Sequence, residues 1–99
     1  MAFTRISVEE AKVLIEKTDV TLADVRDAAS FSAANIPNSL LVSNDTVNDF
    51  LATSDKEKPL IIYCYHGNSS QGAADYFSEQ GFKEVYSLDG GFEEWRLKP

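Results

Sequence analysis

Short apolar runs alternate with stretches of helical periodicity along the whole chain. The most continuous run, Leu60-Ile61-Ile62-Tyr63, is rich in β-branched and aromatic residues, which is typical of a strand that is buried on both faces of a parallel sheet. Four further runs predict the other strands of the same sheet: Phe3 to Ile6, Val20 to Val25, Ser39 to Val42 and Phe82 to Ser87.

Helical periodicity predicts one element after each of these strands. The expected helices are Val8 to about Lys17, Ala28 to Ala34, Thr46 to Ala52, Ser70 or Gln71 to Gln80, and Phe92 to Lys98. The expected helix boundaries are a capping box of Ser7 with Glu10, a cap at Asn44 or Asp45, a cap at Ser69 or Ser70, and a stop at Gly81. The alternation predicts a single α/β domain over residues 1–99, with about five parallel strands and helices on both faces.

The net charge of −7 argues against a nucleic-acid partner, because nucleic acids are bound by basic surfaces. No apolar stretch approaches the roughly 20 residues that cross a bilayer, so no membrane association is expected. The first ten residues lack the apolar core of a signal peptide, and a single unpaired cysteine fits a reducing compartment. We therefore expect a cytoplasmic location. One cysteine and one histidine cannot form a zinc site within the chain, and neither a metal nor a cofactor is expected.

The only cysteine, Cys64, stands where the central apolar run ends. A short polar loop and a helix follow it, so the sulfur is expected at the carboxyl end of a parallel strand, where open α/β sheets bind their ligands. Loop amides and the helix dipole at such a position lower the pKa of a thiol and favour the thiolate. A cysteine at the end of an apolar strand is also often a small buried hydrophobic residue. The loop of small donors favours the reactive interpretation.

Three separated motifs resemble those of the single-domain rhodaneses. They are Cys64-Tyr65-His66-Gly67-Asn68-Ser69-Ser70, then Asp89-Gly90-Gly91-Phe92-Glu93-Glu94-Trp95, and Asp24-Val25-Arg26 followed by Phe31, Ile36 and Pro37. The resemblance covers essentially the whole chain and is closest to the GlpE-type thiosulfate sulfurtransferases. Ala34-Asn35 and Asn38-Ser39 depart from the Gly-His and Gly-Ala pairs that are frequent around the Ile-Pro turn, which makes this turn less typical.

The resemblance implies a small rhodanese-like fold and an enzyme, a thiosulfate:cyanide sulfurtransferase. In that class, Cys64 would take a sulfane sulfur from thiosulfate, become a persulfide and pass the sulfur to cyanide or to a thiol. The candidate substrate-binding residues are Tyr65, His66, Gly67, Asn68, Ser69, Ser70 and Arg26.

Within the loop, backbone amides are the expected donors to the persulfide anion, and Gly67 permits the bend that an amide cradle often needs. Side chains of Asn68, Ser69 and Ser70 are candidate additional donors, and Tyr65 is expected to shape the pocket rim. Two interpretations of His66 stay open: proton transfer with Cys64, or contact with substrate or solvent at the loop surface, which the tight loop favours.

Arg26 and Asp24 also allow two interpretations. A cation at the end of a strand would help to hold a dianion, or the two side chains would form an ion pair that ties loops together, which we favour. Gly90 and Gly91 allow a tight turn from strand to helix and are expected to be mainly structural, although they are also candidates for the pocket border. Trp95 is expected to anchor the last helix on the core.

A cysteine phosphatase also holds a thiolate in an anion cradle, but it requires Cys-x5-Arg, and Ser70 stands where that arginine would be. Many rhodaneses likewise carry a cation at the end of the loop, so weak thiosulfate affinity is expected here. A redox protein would need a Cys-x-x-Cys pair. The alternative from a different class is a sulfur-relay or regulatory binding module with low turnover. Admissible sulfur acceptors are cyanide, small thiols and a reduced dithiol protein such as thioredoxin.

Overall fold

Five parallel strands form one sheet in the computed structural model, which describes residues 3–98. The strands are β1 (Thr4–Ile6), β2 (Thr21–Asp24), β3 (Leu40–Leu41), β4 (Leu60–Tyr63) and β5 (Val85–Leu88). Their order across the sheet is β1-β5-β4-β2-β3. The helices are α1 (Val8–Lys17), α2 (Ala28–Ala33), α3 (Val47–Thr53), α4 (Ser69–Glu79) and α5 (Gly91–Leu97). The predicted α/β architecture is confirmed.

The central strand β4 is buried on both faces, as its continuous apolar sequence predicts. Successive side chains of a strand point to opposite faces of the sheet. Ile61 and Tyr63 pack in one hydrophobic cluster with α1 and α5, whereas Leu60 and Ile62 pack in a second cluster with α3 and α4. Helices therefore cover both faces, and the backbone that leads to Cys64 lies in the middle of the core.

The capping box at the start of α1 is confirmed. Ser7 Oγ accepts a hydrogen bond from the Glu10 amide at 3.1 Å, and the Glu10 carboxylate accepts one from the Ser7 amide at 2.9 Å. Both partners lie within one helical turn, so the sequence alone specifies this element boundary.

The predicted caps of α3 are wrong. Neither Asn44 nor Asp45 caps this helix, which begins after Thr46 with no side-chain cap. The Thr46 hydroxyl instead accepts a hydrogen bond from the Ser43 amide at 2.9 Å and donates to the Leu41 carbonyl at 3.0 Å. A hydrogen-bonded turn therefore takes the place of the expected cap.

The last strand is later and shorter than predicted, because it begins at Val85 rather than at Phe82. Phe82 is buried in the core beside α3 and α4, so its apolar character reflects packing before the strand begins. The other predicted bounds agree with the structure to within about two residues, which is the usual uncertainty of helix and strand ends. Within residues 3–98, no helix is both long and apolar enough to span a membrane.

The connections that follow β2 and β4 run in opposite directions. These strands are neighbours, with Asp24 paired to Tyr63 at their carboxyl ends. The chain leaves β2 toward β3 at one edge of the sheet, and it leaves β4 toward β5 on the other side. Such a divergence opens a crevice beyond the strand ends, where ligands bind in open α/β sheets. Cys64 follows β4 directly and lies at this point.

Candidate active site

The backbone around Cys64 is held by the first turn of α5. The Phe92 amide donates to the Cys64 carbonyl at 2.8 Å, and the Glu93 amide donates to the Tyr65 carbonyl at 3.1 Å. These two amides belong to a helix N-terminus, where backbone N–H groups have no partner within the helix. These bonds satisfy two free amides of the helix and fix the start of the loop that follows Cys64.

Gly91 makes this close approach possible. A Cβ atom at this position would lie 2.5 Å from the Cys64 carbonyl oxygen and 2.6 Å from the Tyr65 carbonyl carbon. Its φ of +58° also lies in the left-handed region that favours glycine. The paired glycines are expected from the sequence to permit a turn, and Gly91 in addition packs against the backbone of Cys64 and Tyr65.

The sulfur of Cys64 is buried and lies in a cradle of backbone amides. The Gly67 amide donates to Sγ at 3.2 Å, and the Ser70 amide donates at 3.3 Å. Burial is the largest single influence on the pKa of Cys64 and raises it. The Ser70 side chain together with the amides of Ser70, Gly67 and His66 outweighs burial, so the net pKa of Cys64 lies below its ordinary value of 9.0.

This arrangement corrects the predicted start of α4. Neither Ser69 nor Ser70 is the N-cap; Asn68 occupies that position and makes no side-chain cap. The Ser70 amide, which a capping oxygen would normally satisfy, points instead at the sulfur of Cys64. The sulfur therefore caps the helix, and the helix N-terminus in turn stabilises negative charge on the sulfur.

The loop bends at Gly67, as predicted, with a φ of +93°. A Cβ atom there would lie 2.9 Å from the Gly90 backbone nitrogen and 3.0 Å from the Leu88 carbonyl oxygen. The loop tip consequently packs against the turn between β5 and α5. Gln71 Nε2 also donates to the Gly67 carbonyl at 3.0 Å, a contact that the sequence analysis missed.

Tyr65 forms part of a network that joins the Cys64 loop to α2. Its hydroxyl hydrogen-bonds with the Asp27 carboxylate and with Ser30 Oγ, while Asp27 also accepts the Ser30 amide at 2.7 Å as the N-cap of α2. The Tyr65 hydroxyl, followed by the Ser30 amide, lowers the pKa of Asp27 to about 2. Asp27 was not among the predicted site residues. The sequence marks it as a helix cap, but not as a partner of Tyr65.

The side chains of His66, Asn68 and Ser69 are exposed, whereas Ser70 is fully buried. The His66 amide is among the groups that lower the pKa of Cys64, but within residues 3–98 the imidazole makes no hydrogen bond to Cys64. This placement favours the loop-surface interpretation of His66. A direct role of these three side chains in substrate binding stays a prediction.

Arg26 forms the ion pair that we favoured from the sequence. Its side chain is only 4% exposed, and Nη2 lies 2.7 Å from Asp24 Oδ2 and 2.6 Å from the Ala34 carbonyl. Burial lowers the pKa of Arg26, but hydrogen bonds and charge from Asp24 raise it by more, so the guanidinium stays charged. Arg26 also lines a groove of about 520 Å³ between α3 and α4. Substrate contact at Arg26 stays a prediction.

Ser87 is the buried site residue that sequence analysis missed. Its hydroxyl lies 2.7 Å from Ser70 Oγ, and both side chains are fully buried. A serine inside the apolar strand Val85–Leu88 is itself a signal, because a buried hydroxyl requires a hydrogen-bond partner. The identity of that partner depends on how α4 packs on β5.

Together these features define a small α/β domain that holds one buried cysteine sulfur in a cradle of backbone amides at the switch point of a parallel sheet. A family model described as the rhodanese-like domain matches residues 7–98, and the chain belongs to this family. The fold and the position of Cys64 in the loop agree with that membership.

Similar proteins support the same conclusion. The chain is 53% identical to a thiosulfate sulfurtransferase GlpE of Pseudomonas savastanoi, over 95% of this chain and 88% of that protein. It is 49% identical to a protein of the same name from Tolumonas auensis, over 95% of this chain and 89% of the relative. A crystal structure of a rhodanese-like domain protein from Staphylococcus aureus superposes with a TM-score of 0.81 at 29% identity, covering 94% of this chain and 91% of the other.

Proposed function

We propose that this chain is a thiosulfate sulfurtransferase that carries a sulfane sulfur on Cys64. The observation that carries the proposal is the buried sulfur with a lowered pKa, which accepts hydrogen bonds from the amides of Gly67 and Ser70. A thiolate in such a cradle is a nucleophile whose anionic products are also stabilised. The relatives named thiosulfate sulfurtransferase support thiosulfate as the donor.

In the first step, the Cys64 thiolate attacks the outer sulfur of thiosulfate. A new S–S bond forms to Cys64, and the S–S bond of thiosulfate breaks. Sulfite leaves with the electron pair, and Cys64 becomes a persulfide anion. The total charge is conserved, because a thiolate and a dianion give a persulfide monoanion and sulfite. The groups that lower the pKa of Cys64 make the thiolate easier to form and so reduce the need for a general base in this step.

In the second step, an acceptor attacks the outer sulfur of the persulfide. Cyanide gives thiocyanate and regenerates the Cys64 thiolate, while a thiolate acceptor becomes a persulfide itself. Small thiols and a reduced dithiol protein such as thioredoxin are acceptors of the required chemistry. We place this activity in the cytoplasm, because a reducing compartment keeps the single cysteine free.

The affinity for thiosulfate is proposed to be weak. Ser70 stands at the end of the loop, where a cation would hold the sulfonate group, and Arg26 is already committed to Asp24. Backbone amides and hydroxyls therefore provide most of the binding. This feature also supports the alternative, a sulfur-relay or regulatory module with low intrinsic turnover.

The first experiment is intact-mass measurement of the protein before and after thiosulfate treatment, followed by cyanide. We expect the wild type to gain the mass of one sulfur atom and to lose it on addition of cyanide. The matched variant is Cys64→Ser, which keeps the size of the side chain and is expected to gain nothing.

Steady-state assays then separate the two functions. Thiocyanate production at a steady rate supports the enzyme, whereas loading from a protein persulfide donor without turnover of thiosulfate supports the relay. If the wild type gains no sulfur from thiosulfate, the proposed donor is wrong. If Cys64→Ser gains as much as the wild type, Cys64 is not the carrier.

A further inference from the structure

One of the amides that donate to the sulfur of Cys64 belongs to Gly67, at the tip of the loop. Glycine has more backbone freedom than any other residue, so its own conformation does not keep this amide on the sulfur. Contacts with other elements must therefore maintain its φ of +93° and the distance of 3.2 Å from the amide to Sγ. The packing of Gly67 against the turn between β5 and α5 is one such contact, and a hydrogen bond from Gln71 is another.

The bond from Gln71 has a defined direction. Gln71 lies partly buried on the first turn of α4, and its Nε2 donates to the Gly67 carbonyl at 3.0 Å. A carbonyl oxygen can only accept, so the side-chain amide of Gln71 is the donor. Gly67 is buried, and within residues 3–98 its carbonyl has no other hydrogen-bond partner. Because a buried carbonyl without a partner is costly, this bond stabilises the observed conformation of the loop tip.

The same bond extends the hydrogen-bond pattern of α4 beyond the start of the helix. In a continuous α-helix, the backbone amide of Gln71 would bond the carbonyl four residues earlier, which is that of Gly67. This amide donates instead to the Asn68 carbonyl at 3.2 Å. The side chain of Gln71 takes the Gly67 carbonyl in its place, so Gly67 stays tied to α4 while its own amide points at the sulfur.

We propose that Gln71 is a positioning residue of the sulfur site: its side-chain amide holds the Gly67 carbonyl and thereby keeps the Gly67 amide directed at Cys64 Sγ. The Ser70 amide, which also donates to the sulfur, lies within α4 and is held by the helix itself. The role of Gln71 toward the thiolate rests on the geometry of the loop, whereas its relevance to a persulfide rests on the proposed function.

The first test is the pH profile of Cys64 alkylation by iodoacetamide in Gln71→Met, which keeps the length of the side chain and removes the donor. Loosening of the Gly67 amide weakens a hydrogen bond to the thiolate and is expected to raise the pKa of Cys64. The rate below the midpoint, relative to the plateau at high pH, is expected to fall about threefold. The plateau reports access to the sulfur and therefore separates a change in exposure from a change in thiolate formation. The matched control is Gln80→Met, the same substitution at an exposed residue at the opposite end of α4.

Amide hydrogen exchange, followed by NMR, separates positioning from a general loosening of the protein. Gln71→Met is expected to speed exchange of the Gly67 amide about threefold or more, and to leave the Ser70 amide and the amides of β4 unchanged. The proposal is overturned if the alkylation profile of Gln71→Met matches that of Gln80→Met, or if the Gly67 and Ser70 amides lose protection equally.

A measurement on the wild type keeps the proposal testable if Gln71→Met does not fold. The side-chain amide protons of Gln71 are expected to exchange with solvent more slowly than those of the exposed Gln80, because a hydrogen bond protects them. Equal exchange rates overturn the proposal. None of these readouts requires sulfur transfer. If the wild type accepts no sulfur from thiosulfate, the proposed function fails, while alkylation and exchange still decide the role of Gln71.

Discussion

At the scale of single residues, hydrogen bonds rather than a neighbouring cation lower the pKa of Cys64. The influences that lower it come from the Ser70 side chain and from the amides of Ser70, Gly67 and His66. Arg26 also lies near the carboxyl ends of the strands, but its guanidinium already donates hydrogen bonds to the Asp24 carboxylate and to the Ala34 carbonyl. In the sulfur transfer that we propose, negative charge on the sulfur would therefore be balanced by dipoles that the fold already holds in place, at little cost of reorganisation.

The two interpretations of Arg26 predict different results in a double substitution. Arg26→Gln leaves the fully buried Asp24 carboxylate without its partner, so we expect a loss of about 3–5 kcal/mol in the free energy of unfolding. Adding Asp24→Asn removes the uncompensated charge and is expected to restore most of that stability. Urea unfolding and the KM for thiosulfate are measured for both variants. The double variant, with its stability restored, then isolates the effect on binding. If its KM for thiosulfate is still more than tenfold above the wild-type value, Arg26 contacts the substrate.

At the scale of elements, the catalytic loop is a junction between three helices. The N-terminus of α4 donates to the sulfur, the N-terminus of α5 donates to the carbonyls of Cys64 and Tyr65, and the cap of α2 holds the Tyr65 hydroxyl. The loop is therefore positioned from several sides. Displacement of α5 should alter the site even though α5 lies after it in the chain.

Substitution of Gly91 tests this junction. Gly91→Ala places a Cβ atom against the backbone of Cys64 and Tyr65 at a left-handed φ, so we expect a loss of about 2 kcal/mol or more in stability and a large loss of sulfur loading. The matched control is Gly72→Ala in α4, where a Cβ atom would meet no atom within 4 Å. That change is expected to stabilise the protein by about 0.5–1 kcal/mol, because alanine favours helix more than glycine does. Thermal unfolding and intact mass after thiosulfate report both effects, and equal behaviour of the two variants would contradict the role of Gly91.

At the scale of the whole molecule, the net charge opposes the proposed substrate. The chain carries a charge of −7, whereas thiosulfate is a dianion. The amide cradle attracts anions only over a short distance, but the charge of the molecule acts over about 10 Å at 0.1 M salt. Long-range repulsion is therefore expected to slow encounter, and local dipoles to hold the substrate after it arrives.

This balance predicts a characteristic dependence on salt. Raising the ionic strength from about 0.01 M to about 0.15 M screens the repulsion and is expected to increase kcat/KM for thiosulfate by a few-fold. The kcat/KM for a neutral dithiol acceptor, measured in the same series, serves as the control and is expected to change little. A fall of kcat/KM for thiosulfate with added salt would mean that the local field at the loop is attractive at long range.

The sequence by itself determined those features whose causes are local. The apolar run Leu60–Tyr63 specifies a strand buried on both faces, and the spacing of Ser7 and Glu10 specifies the start of α1. Cys64 was placed at the end of the central strand, and Gly67 at the bend of the loop, from their neighbours alone. Periodicity, capping and turn chemistry act over a few residues, so the linear pattern contains the necessary information.

The tertiary structure alone decided which distant groups meet around the loop that follows Cys64. Asp27 and Tyr65 are 38 positions apart, Ser70 and Ser87 are 17 apart, and Gly91 meets the backbone of Cys64 only because α5 packs beside β4. The cap of α4 could not be read from Ser69 or Ser70, since the sulfur of a different element takes that role. Each of these contacts depends on strand order and helix packing. Those are properties of the whole chain rather than of any segment, and for that reason they escaped the local pattern.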